Sequence, residues 1–459
     1  MKLLTLLVLL SLKSFAFVDP LDVDSSLTSL EAELEFETRG VKNISDKRDQ
    51  DYPLKTLIFQ DKENKINNEF EVSEYFKSRV SFWFDIYTQY DSNTILIHDL
   101  EDLNLVYSVL DYGDLFESSL HRFTKAKLQS VLTKEYRKRV RDALIRLSKG
   151  KYKALDSFEN EILKKVIKAK GKLPKGWKAR NRFFRGLAKS VRGQTGQKDF
   201  IYAGLLRFHP YENFLYEQIE NFKLPKEVLA ISFLESSFNP NAMSKVSASG
   251  VWQFMPFIGN LFMPKASKKV DYRESPIIST LAAMHLLKQN KQILKRWDLA
   301  VTAYNSGTKH LIRAKRRFKN AQNFDLAYVL ENYESKHLGF ASKNFYSEFL
   351  ALVHVLAYKN SIYGLSGLEK EPIKDINIYV GKCYFGKKSR KVLFDLHPMN
   401  RELNLHINDE KHVFKKGLIL ASAKELPAIH YFKLSNQQLK KFYPKNYYRY
   451  IKNEDCGKL

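Results

Sequence analysis

The sequence predicts a mainly α-helical protein divided into two or three structural units. Apolar residues recur at helical spacing in 125–149 and 156–170, and the pattern is helical and compact from 211 to about 363. At 459 residues, the chain is longer than a usual single domain. Its 44% of hydrophobic residues are enough for a sizeable core, which excludes a globally disordered or collagen-like protein.

The first residues, MKLLTLLVLLSLKSFA, have the features of a signal peptide. An early lysine precedes an apolar run at 3–12, and Ser14 and Ala16 have the spacing that suits a signal peptidase. A membrane span takes roughly 20 apolar residues, so the run is short for one. We therefore predict that residues 1–16 are a signal peptide and that the protein is exported to the periplasm or cell envelope.

A retained N-terminal anchor is the alternative and would give peripheral membrane association. No cysteine follows the run, so a lipid-attached N-terminus is not expected.

Residues 17–200 are predicted as an N-terminal accessory module whose two halves differ in charge. The acidic half, 17–120, has 9 basic and 23 acidic side chains, whereas the basic half, 121–200, has 25 basic and 6 acidic ones. The basic clusters 134–141 and 164–172 would suit nucleic acid, but apolar residues interleaved at helical spacing favour a solvated helix face. An exported basic protein instead meets anionic wall polymers and lipid headgroups. Nucleic acid is therefore not an expected partner.

Within this module the pattern is mostly helical with a β-hairpin. Aromatic and aliphatic residues recur at helical spacing in 72–90, and two strand-like runs at 94–99 and 103–110 flank an acidic turn. Glycine and proline interrupt 171–196, which we interpret as a linker with a helical piece inside it.

The segment 201–365 contains the first residue that points to chemistry. In LPKEVLAISFLESSFNP, which starts at Leu224, apolar spacing predicts a largely buried helix that ends near Ser237, because Asn239-Pro240 disfavours its continuation. Glu235 then lies in the last turn. Apolar surroundings and the negative end of a helix dipole both raise a carboxyl pKa, which keeps the group protonated for use as a general acid. Alone this signal is weak, since most glutamates near helix ends face water.

Two further motifs follow in the same segment. SGVWQFMP occupies 249–256, and AYNSG occupies 303–307 at the end of a predicted helix. Together with Glu235-Ser236 and Ser244, they resemble the catalytic domain of the family 1 lytic transglycosylases, whose motifs are E-S, G-L-M-Q or G-x-W-Q, and A-Y-N-A-G. The resemblance covers about residues 205–365, and three motifs in the right order make it specific.

The resemblance implies a lysozyme-like, mainly helical domain that cleaves the β-1,4 bond between N-acetylmuramic acid and N-acetylglucosamine in peptidoglycan glycan strands. Glu235 would be the single acid/base. It would protonate the glycosidic oxygen and later accept the proton of the muramic C6 hydroxyl, which closes onto C1 as a 1,6-anhydro end. No cofactor and no metal site are expected.

The resemblance also implies a set of substrate-binding residues. Ser244 would orient the reaction centre, Gln253 and Met255 would line the sugar cleft, and Tyr304 and Asn305 would lie near the acid and the N-acetyl group. Structural explanations stay open for some of these positions. Met255 and Trp252 are equally well explained as core residues, and Asn305-Ser306-Gly307 as a helix C-cap.

One position departs from the family pattern. The family usually has a tyrosine on a later helix, in a stretch such as E-T-x-x-Y-V, where this chain has ASKNFY at 341–346. Phe345 occupies the tyrosine position and Tyr346 follows it. This leaves open whether Tyr346 supplies the missing hydroxyl.

Residues 366–459 are predicted as a small basic module of mixed structure, with a strand at 376–380 and a more helical stretch at 396–403. The module would bind the cell wall or pack as an accessory domain. Cys383 and Cys456 either pair in an oxidising compartment or stay free. The sequence does not indicate an oligomeric state.

Two other functions stay open. A hydrolytic muramidase would use water in place of the C6 hydroxyl, but glycoside hydrolases usually pair two carboxylates. No Asp or Glu lies between Glu235 and Asp271, which favours the transglycosylase. A non-catalytic murein-binding protein would have no need of an intact Glu235.

Overall fold

The computed structural model describes residues 41–49, 52–150, 155–265, 270–335, 339–365, 371–382, 395–396, 399–400, 402, 417–428 and 430–441. The predicted signal peptide, both cysteines and half of the residues in 396–403 lie outside the described residues. In the described ranges we find no helix with the length and apolar character of a membrane span. The described residues divide into two compact units, an N-terminal unit of 41–64 and 72–201 and a helical unit of 65–71 and the residues from 202 onward.

The N-terminal unit contains several of the helices that apolar spacing predicts. Its helices are α1 (Pro53–Gln60), α2 (Glu74–Thr88), α3 (Gly113–Glu117), α4 (Arg122–Ser148), α5 (Ser157–Lys170) and α6 (Trp177–Ser190). Helix α5 begins with a capping box, in which the side chains of Asp156 and Glu159 each accept the other residue's backbone N–H. The predicted helices at 72–90, 125–149 and 156–170 are confirmed.

An antiparallel sheet completes this unit. Its strands are β1 (Lys42–Ile44), β2 (Thr94–Asp99), β3 (Val106–Asp111) and β4 (Val191–Thr195), in the order β1-β3-β2-β4. Strands β2 and β3 form the predicted hairpin, with Thr94 opposite Asp111. The interpretation of 171–196 as a linker is wrong, because β4 pairs with β2. As a short edge strand, β4 is held by its backbone ladder and lacks the alternating apolar pattern that marks a strand in sequence.

The core of the N-terminal unit lies between the sheet and three helices. Val140 and Leu144 of α4, Ile162 of α5 and Phe184 of α6 are fully buried and belong to one cluster with Tyr107 of β3. The amphipathic faces that predict these helices are thus the faces that cover the sheet.

The helical unit confirms the prediction of a mainly α-helical protein. Its helices are α7 (Lys198–Phe208, which contains the boundary between the units), α8 (Glu212–Asn221), α9 (Ala230–Ser236), α10 (Pro256–Phe262), α11 (Pro276–Leu294), α12 (Trp297–Ser306), α13 (Thr308–Arg317), α14 (Leu326–Asn332), α15 (Phe340–Ala357), α16 (Lys359–Tyr363) and α17 (Asn436–Leu439). Helix α15 packs against α9 and α12, and α12 also packs against α11. Buried apolar side chains of these helices form the core.

The described C-terminal residues belong to the same compact unit as these helices. Strand β5 (Asn377–Gly381) lies between β6 (Ile419–Ser422) and β7 (Tyr431–Lys433) in an antiparallel sheet. The backbone N–H of Ile419 donates to the Tyr272 hydroxyl at 2.9 Å, and that of Ile373 donates to the Pro210 carbonyl at 3.1 Å. A wall-binding role for 366–459 stays a prediction.

A short early segment, Lys65–Glu71, also belongs to the helical unit. Phe70 is fully buried, with its ring 5.9 Å from that of Trp297 and 5.4 Å from that of Phe349. The Glu69 carboxylate accepts from Trp297 Nε1 at 3.1 Å and pairs with Lys291. This segment therefore contributes an aromatic side chain to the core around α12 and α15.

We expect Phe70→Ala to destabilise the helical unit by about 3–5 kcal/mol, the range for removing a buried Phe side chain. The measurement is denaturant unfolding followed by tryptophan fluorescence, since Trp297 contacts the Phe70 ring. Phe257→Ala is the matched control, because Phe257 is 73% exposed and its loss should change stability by less than about 0.5 kcal/mol. Equal unfolding curves for the two variants would contradict a core role for Phe70.

Candidate active site

Glu235 lies in the last turn of α9. The helix ends at Ser236, because Ser237 and Phe238 adopt left-handed backbone conformations with φ of 50° and 52°. The Arg207 guanidinium donates to the carbonyl of Ser237 at 2.8 Å and to that of Phe238 at 3.2 Å. These bonds satisfy backbone acceptors just past the last turn. The predicted helix end near Ser237 is confirmed.

The Glu235 carboxyl is placed to hold a proton. Its side chain is half-buried, and burial raises its pKa to about 8. Near neutral pH the carboxyl is therefore mostly protonated, which is the state that a general acid requires.

A loop containing the SGVWQFMP motif is joined to the end of α9. The Ser236 hydroxyl donates to the Val251 carbonyl at 3.0 Å and accepts from the Asn239 N–H at 3.0 Å. Earlier in the loop, the Ser244 hydroxyl accepts from the Ala248 N–H at 2.9 Å and closes a turn. Sequence reasoning did not single out Ser236 for this role, because nothing local reveals a bonding partner 15 residues further on.

The glycine of this motif is required by a close backbone contact. Gly250 has φ of 78°, and a Cβ there would lie 1.6 Å from the carbonyl oxygen of Arg273. The Arg273 side chain donates to the carbonyls of Ser247 at 2.6 Å and Phe254 at 3.0 Å, and pairs with Asp271 at 2.6 Å. The loop is thus pinned by the backbone and the side chain of Arg273.

Gln253 and Met255 lie at the exit of the loop. Gln253 has φ of 46°, and its side-chain amide donates to the carbonyls of Ala242 at 3.0 Å and Gly250 at 2.9 Å. Its Oε1 is buried and meets no hydrogen-bond donor in the described part of the chain. Met255 is half-buried and precedes α10 as its N-cap. Trp252 is core, being fully buried with its Nε1 bonded to a threonine hydroxyl at 2.8 Å.

Tyr304 joins α12 to the same loop. Its hydroxyl donates to the Trp252 carbonyl at 2.7 Å, and its ring centre lies 6.1 Å from that of Trp252. Burial raises the Tyr304 pKa, and the charge of Glu235 raises it further. The next side chain, Asn305, accepts from the Ser342 hydroxyl of α15 at 2.9 Å, and Gly307 is the C-cap of α12.

The site thus brings four elements together, namely three helices and the loop. The end of α9 is bonded to the loop through Ser236, the loop is bonded to α12 through Tyr304, and α12 is bonded to α15 through Asn305. The sugar-binding roles assigned to Ser244, Gln253, Met255, Tyr304 and Asn305 stay predictions.

Sequence reasoning missed one acidic side chain of this site. Glu348 on α15 is buried, with 5% of its surface exposed. Burial raises the pKa of Glu348 to about 8, and the charge of Glu235 contributes to the shift. The signal that could have found it is its place one turn after Phe345, the position where the family usually has a tyrosine.

Phe345 and Tyr346 occupy different surroundings. Phe345 is buried in the core. Burial raises the Tyr346 pKa, and the charged neighbours that act on it are Asp298, Arg296 and Glu69. Whether Tyr346 supplies the hydroxyl that Phe345 lacks stays open.

Metal ligands are not clustered in the described residues. No group of three or more His, Cys, Asp and Glu side chains among them is placed to hold a metal ion.

Comparison with known proteins identifies the class of this unit. Residues 214–326 match the model of the transglycosylase SLT domain. The chain is 30% identical over 169 residues to membrane-bound lytic murein transglycosylase D of Escherichia coli (strain K12), which is 36% of this chain and 35% of the relative. The relative of the same name from E. coli O6:H1 (strain CFT073 / ATCC 700928 / UPEC) has the same identity and coverage. A protein of Alteromonas sp. (strain M-1) named for tributyltin chloride resistance is 34% identical over 118 residues, 26% of this chain and 57% of the relative.

Residues 214–326, which include Glu235, the SGVWQFMP loop and Tyr304, are therefore similar to a transglycosylase SLT domain, and the mainly helical fold agrees with the lysozyme-like fold expected of it. The resemblance drawn from the E-S, G-V-W-Q-F-M-P and A-Y-N-S-G motifs is confirmed over this part of the chain. The match spans about a third of the length of the E. coli relatives.

Proposed function

We propose that this protein is a peptidoglycan lytic transglycosylase, which cleaves the β-1,4 bond between N-acetylmuramic acid and N-acetylglucosamine and leaves 1,6-anhydro ends. One observation carries the proposal. In a transglycosylase SLT domain, the half-buried Glu235 has its pKa raised to about 8 and is therefore protonated near neutral pH.

A single carboxyl acts twice in the proposed reaction. The Glu235 carboxyl donates its proton to the glycosidic oxygen, and the bond between that oxygen and the muramic C1 breaks. The resulting carboxylate then accepts the proton of the C6 hydroxyl, while O6 forms a bond to C1. Glu235 ends protonated, as it began, and no water is consumed.

The neighbouring residues have roles that follow from their hydrogen bonds. The buried Oε1 of Gln253 would accept the N–H of an acetamido group, which would satisfy an acceptor that otherwise costs free energy. The Ser244 hydroxyl accepts within its turn and keeps its own proton to donate to the sugar. Tyr304 would act by holding the loop, since its hydroxyl bonds to the Trp252 carbonyl. Met255 would line the sugar cleft, and Asn305 would lie near the acid and the N-acetyl group.

A hydrolytic muramidase is the alternative outcome. It would pair Glu235 with a second, ionised carboxylate that activates water or attacks C1. In the described residues, the carboxyl that the charge of Glu235 acts on is that of Glu348, and burial raises the pKa of Glu348 to about 8. A carboxyl that is neutral near pH 7 serves poorly as such a base, which favours the transglycosylase.

Product analysis tests the proposal. Purified peptidoglycan is digested with wild type and with Glu235→Gln, and the released muropeptides are examined by mass spectrometry. Anhydro ends from wild type and none from the variant are expected. Reducing ends would instead show a muramidase. An absence of wild-type products, repeated in a zymogram, would show a non-catalytic murein-binding protein.

We also propose that a basic face on α6 assists binding to anionic wall polymers. In the cluster 164–172, Lys165 pairs with Glu161 at 2.9 Å and Lys170 pairs with Asp102 at 2.7 Å, so part of its charge is used inside the N-terminal unit. The face of α6 is different. A cleft of about 490 Å³ is lined by Trp177, Lys178, Asn181, Arg182, Arg185, Gly186 and Lys189. Its four cations are exposed and have no ion-pair partner in the described ranges.

Binding to intact sacculi should therefore weaken between 0.1 M and 1 M salt, as the Debye length falls from about 10 Å to about 3 Å. Arg182→Ala/Arg185→Ala should weaken pelleting with sacculi at 0.1 M salt and reduce its salt dependence. The control, Lys134→Ala/Lys138→Ala, removes two exposed charges from α4 instead. Equal losses from both double variants would mean that net charge matters and the α6 face does not.

Location in the periplasm or cell envelope is part of the proposal and depends on residues 1–16. N-terminal sequencing of the protein recovered from the envelope fraction tests it. A mature chain that starts near residue 17 is expected, and an uncleaved chain in the cytoplasm would contradict export.

A further inference from the structure

One face of α15 is bonded to the candidate site. Ser342, Phe345 and Glu348 follow one another at intervals of three residues, which places them along one side of the helix. Ser342 bonds to Asn305 of the A-Y-N-S-G motif at 2.9 Å. Helix α15 also packs directly against α9, which carries Glu235. The face that lacks the family tyrosine at Phe345 therefore has a carboxyl one turn later.

Glu348 is a buried carboxyl whose electrostatic neighbour is the acid itself. It is 5% exposed, and burial and then the charge of Glu235 raise its pKa. On the elements that pack against α15, Tyr304 of α12 also senses the charge of Glu235, whereas Arg296 and Asp298 act on Tyr346. No cation is among the groups that act on Glu348 in the described residues.

We propose that Glu348 is a positioning residue that forms a carboxyl pair with Glu235 and keeps Glu235 protonated over a wider pH range than Glu235 alone would allow. This inference rests on the proposed function, since it assigns a task to the proton that Glu235 donates. Glu348 is not proposed to touch the sugar, and no bond to it forms or breaks.

The physical basis is the cost of ionising two nearby carboxyls. When one member of the pair loses its proton, its negative charge opposes ionisation of the other. Between the two ionisations of the pair, one proton is distributed over two sites, so a fraction of the molecules still has Glu235 protonated. A lone Glu235 would lose its proton in a single step. The pair therefore extends activity on the alkaline side of the pH profile.

In this proposal, Glu348 compensates for the hydroxyl that is missing at Phe345. A tyrosine hydroxyl beside the acid would be a hydrogen-bonding neighbour of Glu235. Phe345 has no hydroxyl and offers no such bond. A carboxyl on the same helix face adjusts the proton affinity of the acid by charge.

The test is the pH dependence of peptidoglycan cleavage by the full chain, comparing wild type with Glu348→Gln. At pH 5–6 the two should be similarly active, because Gln resembles the neutral carboxyl. On the alkaline side, the midpoint should fall by half the interaction between the two carboxyls, or about 0.5 pH unit for an interaction of about 1 pK unit. At the wild-type midpoint, the variant should then be about twofold less active. Its alkaline limb should also become a simple one-proton curve.

Glu402→Gln is the matched control. Glu402 is buried in the same unit, and burial raises its pKa to about 8, but its charged neighbour is Glu274 rather than Glu235. Its variant should leave the alkaline midpoint unchanged. Glu348→Met is measured as well, because it also removes ionisation and covers the case in which Glu348→Gln does not fold.

Each outcome decides between the proposals. If wild type forms no anhydro products at any pH, the proposed function fails. If wild type forms them but the alkaline midpoints of the Glu348 variants equal that of wild type, only the carboxyl pair is excluded. A loss of activity by the same factor at every pH would show that Glu348 has a purely structural role.

Discussion

Glu235→Gln should reduce peptidoglycan cleavage by about 10²–10⁴-fold, the usual contribution of general acid–base catalysis. The amide keeps the shape of the carboxyl and removes the transferable proton. Release of soluble muropeptides from labelled sacculi, together with pelleting to measure binding, checks the prediction. Binding should be largely retained. A variant with more than roughly a tenth of wild-type turnover would show that Glu235 is not the acid.

The same substitution should raise stability at alkaline pH, which serves as a check on folding. The pKa of Glu235 is about 8 in the folded chain and about 4.3 in an unfolded one. Between these values the folded state binds more protons, so the wild-type free energy of unfolding falls as pH rises from about 4.3 to about 8. Glu235→Gln removes this contribution. Its melting temperature should therefore match that of wild type at pH 4 and exceed it at pH 8.5, as differential scanning calorimetry would measure.

Gly250→Ala should destabilise the helical unit by roughly 3 kcal/mol or more and lower cleavage by about 10²-fold. The added Cβ would lie 1.6 Å from the Arg273 carbonyl oxygen, so the loop must move away from Arg273. That movement displaces Gln253 and breaks the alignment of the loop with Tyr304. Thermal unfolding and the cleavage assay measure the two effects.

Gly364→Ala separates the effect of the close contact with Arg273 from the cost of a left-handed backbone conformation. Gly364 has φ of 63°, close to the 78° of Gly250, but a Cβ there would meet no atom within 4 Å. Its substitution should cost only the left-handed conformation, about 1–2 kcal/mol, and should leave cleavage unchanged. Similar losses in both variants would mean that strain, rather than the contact with Arg273, accounts for the requirement for glycine.

The local sequence pattern was sufficient to predict the features that depend on residues close together in the sequence. The amphipathic helices, the hairpin of β2 and β3, and the end of α9 near Ser237 all follow from spacing and from residues within a few positions. The three motifs in order were enough to predict the SLT domain. Partial burial of Glu235 could also be anticipated, because most of the residues before it in the short helix are apolar.

Tertiary structure alone decided which distant faces meet. Glu348 is 113 positions after Glu235, and its helical pattern says only that one face is apolar, not that this face meets α9. Phe70 reaches the core of a unit that otherwise starts at residue 202, and β4 becomes a strand because β2 offers it a free edge. The requirement for Gly250 likewise comes from Arg273. The spacing of apolar residues predicts which face of a helix or strand is apolar. Packing and backbone hydrogen bonding across the whole chain determine which faces meet.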